Sequence, residues 1–473
     1  MPTHAAHAPT PSTPASVMHE SGLMLSPKAV HMLEKVTAFV ENDCIPAHCI
    51  YTDQLNAMPA RWSDVPAIVN VLRAKAKQLG LWNMFLTEEY GDLGPGLSTM
   101  EYALICKSLA SSALFPSAYD LLEWLGKSWL ASIATNCAAP DTGNMELLAK
   151  YGTKEQKETW LRPLMDAKIR SAFAMTEPDV ASSDATNLSF DMTKTLDGKH
   201  YVLNGRKHWI SGSSDPHCRL YIVVGKTNVS SKRHTSHSII LVPKYPNNDD
   251  HVIKGLTIVR HLHVFGFDDA PHGHDELLFE NVMVPVENLV LGQGRGFEVL
   301  QGRLGGGRIH HCMRTLGVGE RAMELMIMEA TNPNKRPFGK LKGEQGKVQW
   351  DISECRIDLE MCKRLVYHAA TAMDAKGFKG AKKEIAIAKI KVPRLVCNII
   401  DCAIQVHGGL GLSQSTELAS MYAHVRTLRL ADGPDEAHAQ QLARMELSRA
   451  DSIRKKYEMC RLQEQEYRKQ AKL

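Results

Sequence analysis

Apolar residues early in the chain recur at three- and four-residue spacing. Val30, Leu33, Val36 and Val40 fall on one helical face, and Ser26-Pro27 supplies an N-cap and a first-turn proline ahead of them. Helical periodicity runs to about Leu164. It breaks at Tyr90-Gly91-Asp92-Leu93-Gly94-Pro95-Gly96 and resumes over 98–130 and 146–151. Near residue 170 the period shortens to that of strands. Tyr201-Val202-Leu203, Leu220-Tyr221-Ile222-Val223-Val224, Ser238-Ile239-Ile240-Leu241-Val242 and Glu276-Leu277-Leu278-Phe279 are separated by turn signals such as Leu196-Asp197-Gly198-Lys199. Their irregular spacing predicts a compact antiparallel barrel or sandwich, not βαβ units. Helices return from Gly296 to about Arg449, with apolar stripes over 351–374 and 382–406. The expected division is a tail over 1–24, a helical domain over 25–168, a β-domain over 169–290, a helical domain over 291–450 and a helical tail over 451–473. No G-x-G-x-x-G follows a strand, which excludes a dinucleotide-binding βαβ unit; Gly292, Gly294 and Gly296 read as a turn.

Composition narrows the classes. The 473 residues are 44% hydrophobic and 23% charged, an ordinary globular balance. A net charge of +4 is too weak for a nucleic-acid footprint but tolerates anionic substrates. No apolar run approaches the ~18 residues of a membrane span, so a soluble chain without a span is expected. The 11 cysteines form no C-x-x-C pair and no signal-peptide core precedes them, so a reducing intracellular setting and buried thiols are expected. No metal site is expected: the neighbours His310 and His311 point in different directions on a helix. Residues 1–24, rich in Pro, Ala, Ser and Thr, read as disordered. The first arginine is Arg61, which argues against a mitochondrial transit peptide. The terminal Ala471-Lys472-Leu473 is a near variant of the S-K-L address, so a peroxisomal import receptor is the expected partner there, with mitochondrial or cytosolic residence as alternatives.

Five segments carry more specific information. They are Tyr151-Gly152-Thr153 with Gln156 and Trp160-Leu161-Arg162-Pro163-Leu164; Phe173-Ala174-Met175-Thr176-Glu177-Pro178; Asn204-Gly205-Arg206-Lys207-His208-Trp209-Ile210-Ser211-Gly212; Pro337-Phe338-Gly339-Lys340; and Gln405-Val406-His407-Gly408-Gly409-Leu410-Gly411. In this order, across about residues 28–450, the chain resembles the acyl-CoA dehydrogenase family. Residues 176–184 and 431–436 look most like a subgroup whose animal members carry this module behind a kinase-like domain, which this sequence does not contain.

The resemblance implies an α+β multidomain fold: an N-terminal helical domain, a middle antiparallel β-barrel or sandwich, and a C-terminal helical bundle. It implies FAD between the β-domain and the C-terminal helices, completed by a second subunit of a homodimer or homotetramer. Phe173, Ala174, Met175 and Thr176 would meet the flavin's polar edge, and Trp209, Ile210 and Ser211 would wall its ring. Gln405, Val406, His407, Gly408 and Gly409 would approach the partner's FAD pyrophosphate. The family's cation before Phe338 aligns to Lys335, with Arg336 one residue later. Pro434, Asp435 and Glu436 would lie beside the cofactor.

Removing a thioester α-proton requires a positioned carboxylate. The resemblance places it at Asp432, before Gly433, where most of the family carries Glu; Asp is shorter by about 1.5 Å. Asp435 and Glu436 also suit the dipole of the helix they begin. Arg308, Gly433 and either Ser182 or Ser183 would contact the acyl-CoA. The implied activity is FAD-dependent α,β-dehydrogenation of a fatty acyl-CoA in β-oxidation, with electrons passing to an electron-transfer flavoprotein. The same fold also serves O₂-using acyl-CoA or nitroalkane oxidases, the latter with an Asp base, and non-enzymatic DNA-associated proteins. The modest charge disfavours the last.

Overall fold

The computed structural model describes residues 25–110, 129–227, 233–246 and 251–472. The expected tail over 1–24, part of the helical stretch over 98–130, and Leu473 lie outside the described residues.

Helices α1 (Pro27–Phe39), α2 (Ala47–Ala57), α3 (Ala67–Leu79), α4 (Thr99–Ala110), α5 (Trp129–Ala134) and α6 (Asp141–Tyr151) come first. Ser26 caps α1 as its pattern requires, Oγ accepting from the Ala29 N–H at 3.2 Å. Ala29, Met32, Leu33, Val36 and Phe39 form the buried face, with Val30 at its rim.

The sheet comprises β1 (Arg170–Ala174), β2 (Asp191–Lys194), β3 (His200–Ser211), β4 (Cys218–Lys226), β5 (His237–Pro243), β6 (Leu256–His261) and β7 (His274–Pro285). Its order is β1-β4-β2-β3-β7-β6, with β5 on β4. Most pairs are antiparallel, but β1 runs parallel to β4, and β2 meets β4 in parallel at Asp191 and Lys226. The chain reaches β4 from β1 only after passing through β2 and β3, a long crossover that permits parallel pairing. Leu220, Ile222 and Val224 of β4, with Ile239 and Leu241 of β5, join the helical core. Tyr221, Val223, Ile240 and Val242, one residue out of phase, join the core inside the sheet. Burial on both faces explains why these two strands read as unbroken apolar runs.

Helices α7 (Gly296–Ala330), α8 (Gly346–Gly380), α9 (Lys382–His407), α10 (Leu418–Thr427), α11 (Asp435–Leu447) and α12 (Ala450–Gln470) complete the order. One expectation needs correction here. The segment Lys382–Leu412 is long and apolar enough, at mean hydropathy 1.4, to pass for a membrane span by length and composition. Scattered polar residues hide this in a run-by-run reading. α9 packs against α7, α8, α10 and α11, and Ile385, Ala388, Val392, Val396, Ile399 and Ala403 are spent on that core. The thiols also differ from expectation. All are free, but Cys460 is exposed and Cys49 and Cys402 are half-buried. Cys460 lies on α12, which buries none of its residues.

Candidate active site

The connection from α10 to α11 contains two consecutive residues with positive φ, Asp432 at 55° and Gly433 at 105°. Glycine takes this conformation freely and Asp is among the few side chains that tolerate it. The Asp432 carboxylate lies against α7, opposite Gly307. A Cβ at Gly307 would lie 2.8 Å from Asp432 Oδ2, so any side chain there would have to displace the carboxylate.

Nitrogen donors surround that carboxylate, whose side chain is 13% exposed. His311 Nε2 is 3.3 Å from Oδ2 and Arg303 Nη1 is 3.6 Å from Oδ1. Arg308 Nε donates to the Asp432 carbonyl at 2.9 Å. Lys389, buried on α9, donates to the Leu428 carbonyl in the same turn region. Burial by itself would raise the Asp432 carboxyl, but His311, Arg303 and Lys389 together hold it well below the usual carboxylate range. The group is therefore ionised and able to accept a proton.

Arg303 continues the site towards the β-domain. Its guanidinium lies 4.1 Å from the centre of the Phe173 ring at the end of β1. Glu146 on α6 faces the same region, and a Cβ at Gly306 would lie 3.0 Å from its Oε2. Burial pushes the Glu146 carboxyl up to about 8, with Arg303 opposing the shift. Sequence reasoning did not find Arg303, Glu146 or the role of His311. The available signal was the run Gly305-Gly306-Gly307, which lets other elements approach one turn of α7.

The segment after β1 is fixed from beneath. Lys207, 0% exposed at its side chain, donates to the Met175 carbonyl and to Glu177 Oε1, each at 2.8 Å. Glu177 also accepts from the Ser189 N–H and hydroxyl and the Phe190 N–H. The Thr176 hydroxyl donates to the His208 carbonyl, so only its lone pairs remain for a ligand. Ala174 is buried beneath this segment. In β3 the pairing with β7 shifts register between Lys207 and Ile210. Trp209 sits in that irregularity with φ 57° and is 45% exposed, while Ile210 is buried. The bulge turns the indole outward. Ser211 Oγ is hydrogen-bonded to His274 Nδ1 at 2.8 Å, His274 Nε2 to Asp269 at 3.1 Å, and the other Asp269 oxygen to His424 Nε2 on α10 at 2.9 Å. A polar chain thus runs from the indole wall to the helix preceding Asp432.

Two stretches of sequence decide the family. Residues 172–282 match the acyl-CoA dehydrogenase middle domain and residues 294–447 the acyl-CoA dehydrogenase C-terminal domain. FadE2 of Mycobacterium tuberculosis, named as an acyl-CoA dehydrogenase, is 44% identical over 429 residues, covering 90% of this chain and 97% of FadE2. This chain belongs to the acyl-CoA dehydrogenase family. Acyl-CoA dehydrogenase family member 11 of Gallus gallus is 44% identical over 441 residues, covering 92% of this chain and 52% of that protein. IBR3 of Arabidopsis thaliana is 41% identical over 449 residues, covering 90% and 51%. The chain thus spans about half the length of these two curated relatives. A Mycobacterium abscessus structure described as an acyl-CoA dehydrogenase superposes with TM-score 0.80 at 39% identity, covering 90% of this chain and 100% of that one. Butyryl-CoA dehydrogenase of Megasphaera elsdenii shares the fold, with TM-score 0.70 at 23% identity and coverage of 90% and 99%.

Other expected positions in this acyl-CoA dehydrogenase fold fall in two places. Arg308 lines a small, partly open recess with Gln301, Phe378, Lys382, His438 and Gln441. Gly433 packs near the His438 ring. Pro434 precedes α11, Asp435 accepts from Arg429 Nε at 2.8 Å, and Glu436 is exposed. Ser182 Oγ accepts from the Glu177 N–H at 2.9 Å and closes its own loop, whereas Ser183 is exposed. The second place is the far end of α7. Lys335 Nζ lies 2.9 Å from Glu329, which Lys342 also meets. Lys342 further donates to the Val406 carbonyl at 2.7 Å, joining this loop to the end of α9. Arg336 has no carboxylate partner among the described residues and donates to the Pro333 carbonyl at 3.3 Å. Phe338 is 98% exposed. Gln405 is exposed, and His407 is buried with Nδ1 bonded to the Ala403 carbonyl at 2.8 Å. Gly408 has φ 67°, and a Cβ at Gly408 or Gly409 would meet nothing within 4 Å. Glu329 lies about 33 Å along α7 from Gly307 at 1.5 Å per residue. The two groups of residues therefore cannot meet around one point of one chain.

Proposed function

We propose that this chain dehydrogenates an acyl-CoA thioester between its α and β carbons, with Asp432 as the base and FAD as the cofactor. The observation that carries this reading is an ionised carboxylate fixed in a left-handed turn and seated in the Gly307 notch, joined through Arg303 to Phe173 at the end of β1.

The residues present fit FAD. The outward indole of Trp209 offers a flat wall, the Phe173–Thr176 backbone is held rigid by Lys207, and the main chain at Gly408-Gly409 is bare enough for an anion to come close, since a Cβ there would meet nothing within 4 Å. FAD, when bound, supplies the acceptor for the β-hydride. The protein's part is to hold the acyl chain between the indole wall and Asp432, to take the α-proton onto the carboxylate, and to exclude water from that pair. The α7 separation supports a second copy of the chain as the donor of Gly408, Gly409 and Arg336 to each cofactor. A peroxisomal address at Ala471-Lys472-Leu473 is part of the same reading.

Anaerobic mixing of the purified flavoprotein with a panel of acyl-CoA thioesters tests it. The flavin should bleach with at least one of them. Asp432→Asn should keep FAD and acyl-CoA binding but bleach about a hundredfold or more slowly, since a positioned base contributes about 10²–10⁴. Near-normal bleaching by that variant removes Asp432 from the mechanism. No bleaching of wild type by any thioester removes the substrate class.

A further inference from the structure

We propose that His311, locked in one tautomer by Arg314, is a positioning residue that holds one oxygen of Asp432 and leaves the other to collect the α-proton. The inference rests on the reading of Asp432 as the base.

Arg314 Nη2 lies 3.3 Å from His311 Nδ1. A guanidinium can only donate, so Nδ1 must be the accepting, unprotonated nitrogen. The ring proton then sits on Nε2, which faces Asp432 Oδ2 at 3.3 Å. Oδ2 is thereby confined between this donor and the backbone at Gly307. Among the described residues Oδ1 accepts no hydrogen bond, and Arg303 Nη1 stands 3.6 Å from it, beyond hydrogen-bonding reach. The carboxylate therefore presents two unequal oxygens, and the one free to accept is Oδ1. The α-proton moves from the acyl carbon to Oδ1 and leaves Asp432 neutral. No proton passes to His311, because Arg314 already occupies its only lone pair.

The neighbours of His311 support a fixed, neutral ring. From other elements it faces Asp432 in the turn before α11 and Lys389 on α9; from its own helix it faces Arg314. His310 turns the other way and packs edge-on against Tyr102, with ring centres 5.2 Å apart. Burial lowers the His311 ring, Asp432 opposes this, and Arg314 and Lys389 reinforce it. The His-His pair is thus one core histidine and one that serves the carboxylate.

The test compares His311→Leu, which removes the donor, with His311→Gln, which keeps an N–H donor of similar reach. Each is studied as the FAD-loaded oligomer by anaerobic rapid mixing with the thioester that best bleaches wild type, protonated or α-deuterated, across the acid limb of the rate profile. His311→Leu should lose roughly 10- to 100-fold in bleaching rate, the usual cost of removing an orienting outer partner. Acyl-CoA affinity should stay unchanged, the α-deuterium isotope effect should grow, and the acid limb should move to higher pH. His311→Gln should recover most of the rate and move the limb back. Equal losses in both variants with intact binding, or an acid limb that does not move in His311→Leu, would overturn the proposal. If His311→Leu fails to fold, Arg314→Met frees Nδ1 instead and should give the same acid-limb shift at smaller amplitude; no shift counts against the proposal. A dead Asp432→Asn beside a normal His311→Leu discards only this inference, whereas an active Asp432→Asn discards the base assignment itself.

Discussion

Arg308 holds Asp432 by its main chain, donating from Nε to the Asp432 carbonyl at 2.9 Å. The same side chain lines the neighbouring recess. It was expected on the substrate, and the geometry adds a tether on the turn that carries the carboxylate. A left-handed Asp costs free energy of order 1–3 kcal/mol and persists only where its surroundings fix it. Arg308→Met should therefore slow flavin bleaching at saturating thioester by about tenfold or more as well as weaken acyl-CoA binding. Rapid mixing at several thioester concentrations separates the two effects; a change in binding alone would limit Arg308 to the substrate.

Gly307 sets how near the carboxylate can come. Gly307→Ala should displace Asp432, because the new Cβ would lie 2.8 Å from Oδ2. A displacement of about 1 Å can cost roughly a hundredfold in rate, with ~1–3 kcal/mol lost from overpacking. Asp432→Glu should also be slow, since its longer arm has no room in this notch. Bleaching kinetics beside a melting curve check both; wild-type rates would place the carboxylate elsewhere during turnover.

The linear segments were legible because each is a local device. The Ser26-Pro27 start, the turn at Gly198 and the glycines at 408 and 409 announce backbone conformations through residue type. Arg303, Glu146 and His311 could not be read in this way. They converge only because one turn of α7 faces α6, the end of β1 and the α10–α11 turn at once, and helical phase against three partners is not written in any short window. β6 escaped for a related reason: Leu256 alone among its residues is buried, so no alternation marks it. The parallel β1–β4 pair is a fact of chain path, invisible in either strand.

The Lys207–Glu177 pair should be indispensable to cofactor retention. Burial pulls the Lys207 ammonium down to about 8 while Glu177 pulls it back. Lys207→Met strands the Glu177 carboxylate, a change that costs about 3–5 kcal/mol when a buried partner is removed. The expected result is a clear fall in melting temperature and in FAD per chain. Unchanged FAD content would show that Met175 and Thr176 do not depend on this support.

Glu146 gives a pH signature. The unfolded chain releases this proton through the ordinary carboxylate range, whereas the folded chain holds it until about 8. Its contribution is complete below the unfolded pKa and is lost as pH rises towards about 8. Glu146→Gln should match wild type in acid and exceed it at and above neutrality, by an amount of order a few kcal/mol. Melting temperatures across this range decide it, and parallel curves would contradict the assignment.

A fluorescent protein fused ahead of Met1 should enter peroxisomes, and removal of Ala471-Lys472-Leu473 should return it to the cytosol. The helix that leads to this end, α12, buries none of its residues. Imaging that shows the same distribution with and without the tripeptide would refute the address.

The hydrogen-bonded chain Ser211–His274–Asp269–His424 acts as a spacer of fixed length. In the reaction proposed for this chain the two carbons oxidised are adjacent, about 1.5 Å apart, and each must be aligned with a different part of the protein. The indole wall stands at one end of the chain and the helix feeding the Asp432 turn at the other. In the proposed reaction, a tilt of the wall would reach the base through this chain. Timing between loss of the proton and loss of the hydride would then be a matter of tolerance in this spacer, and lengthening it at Asp269 should pull the two bond cleavages apart.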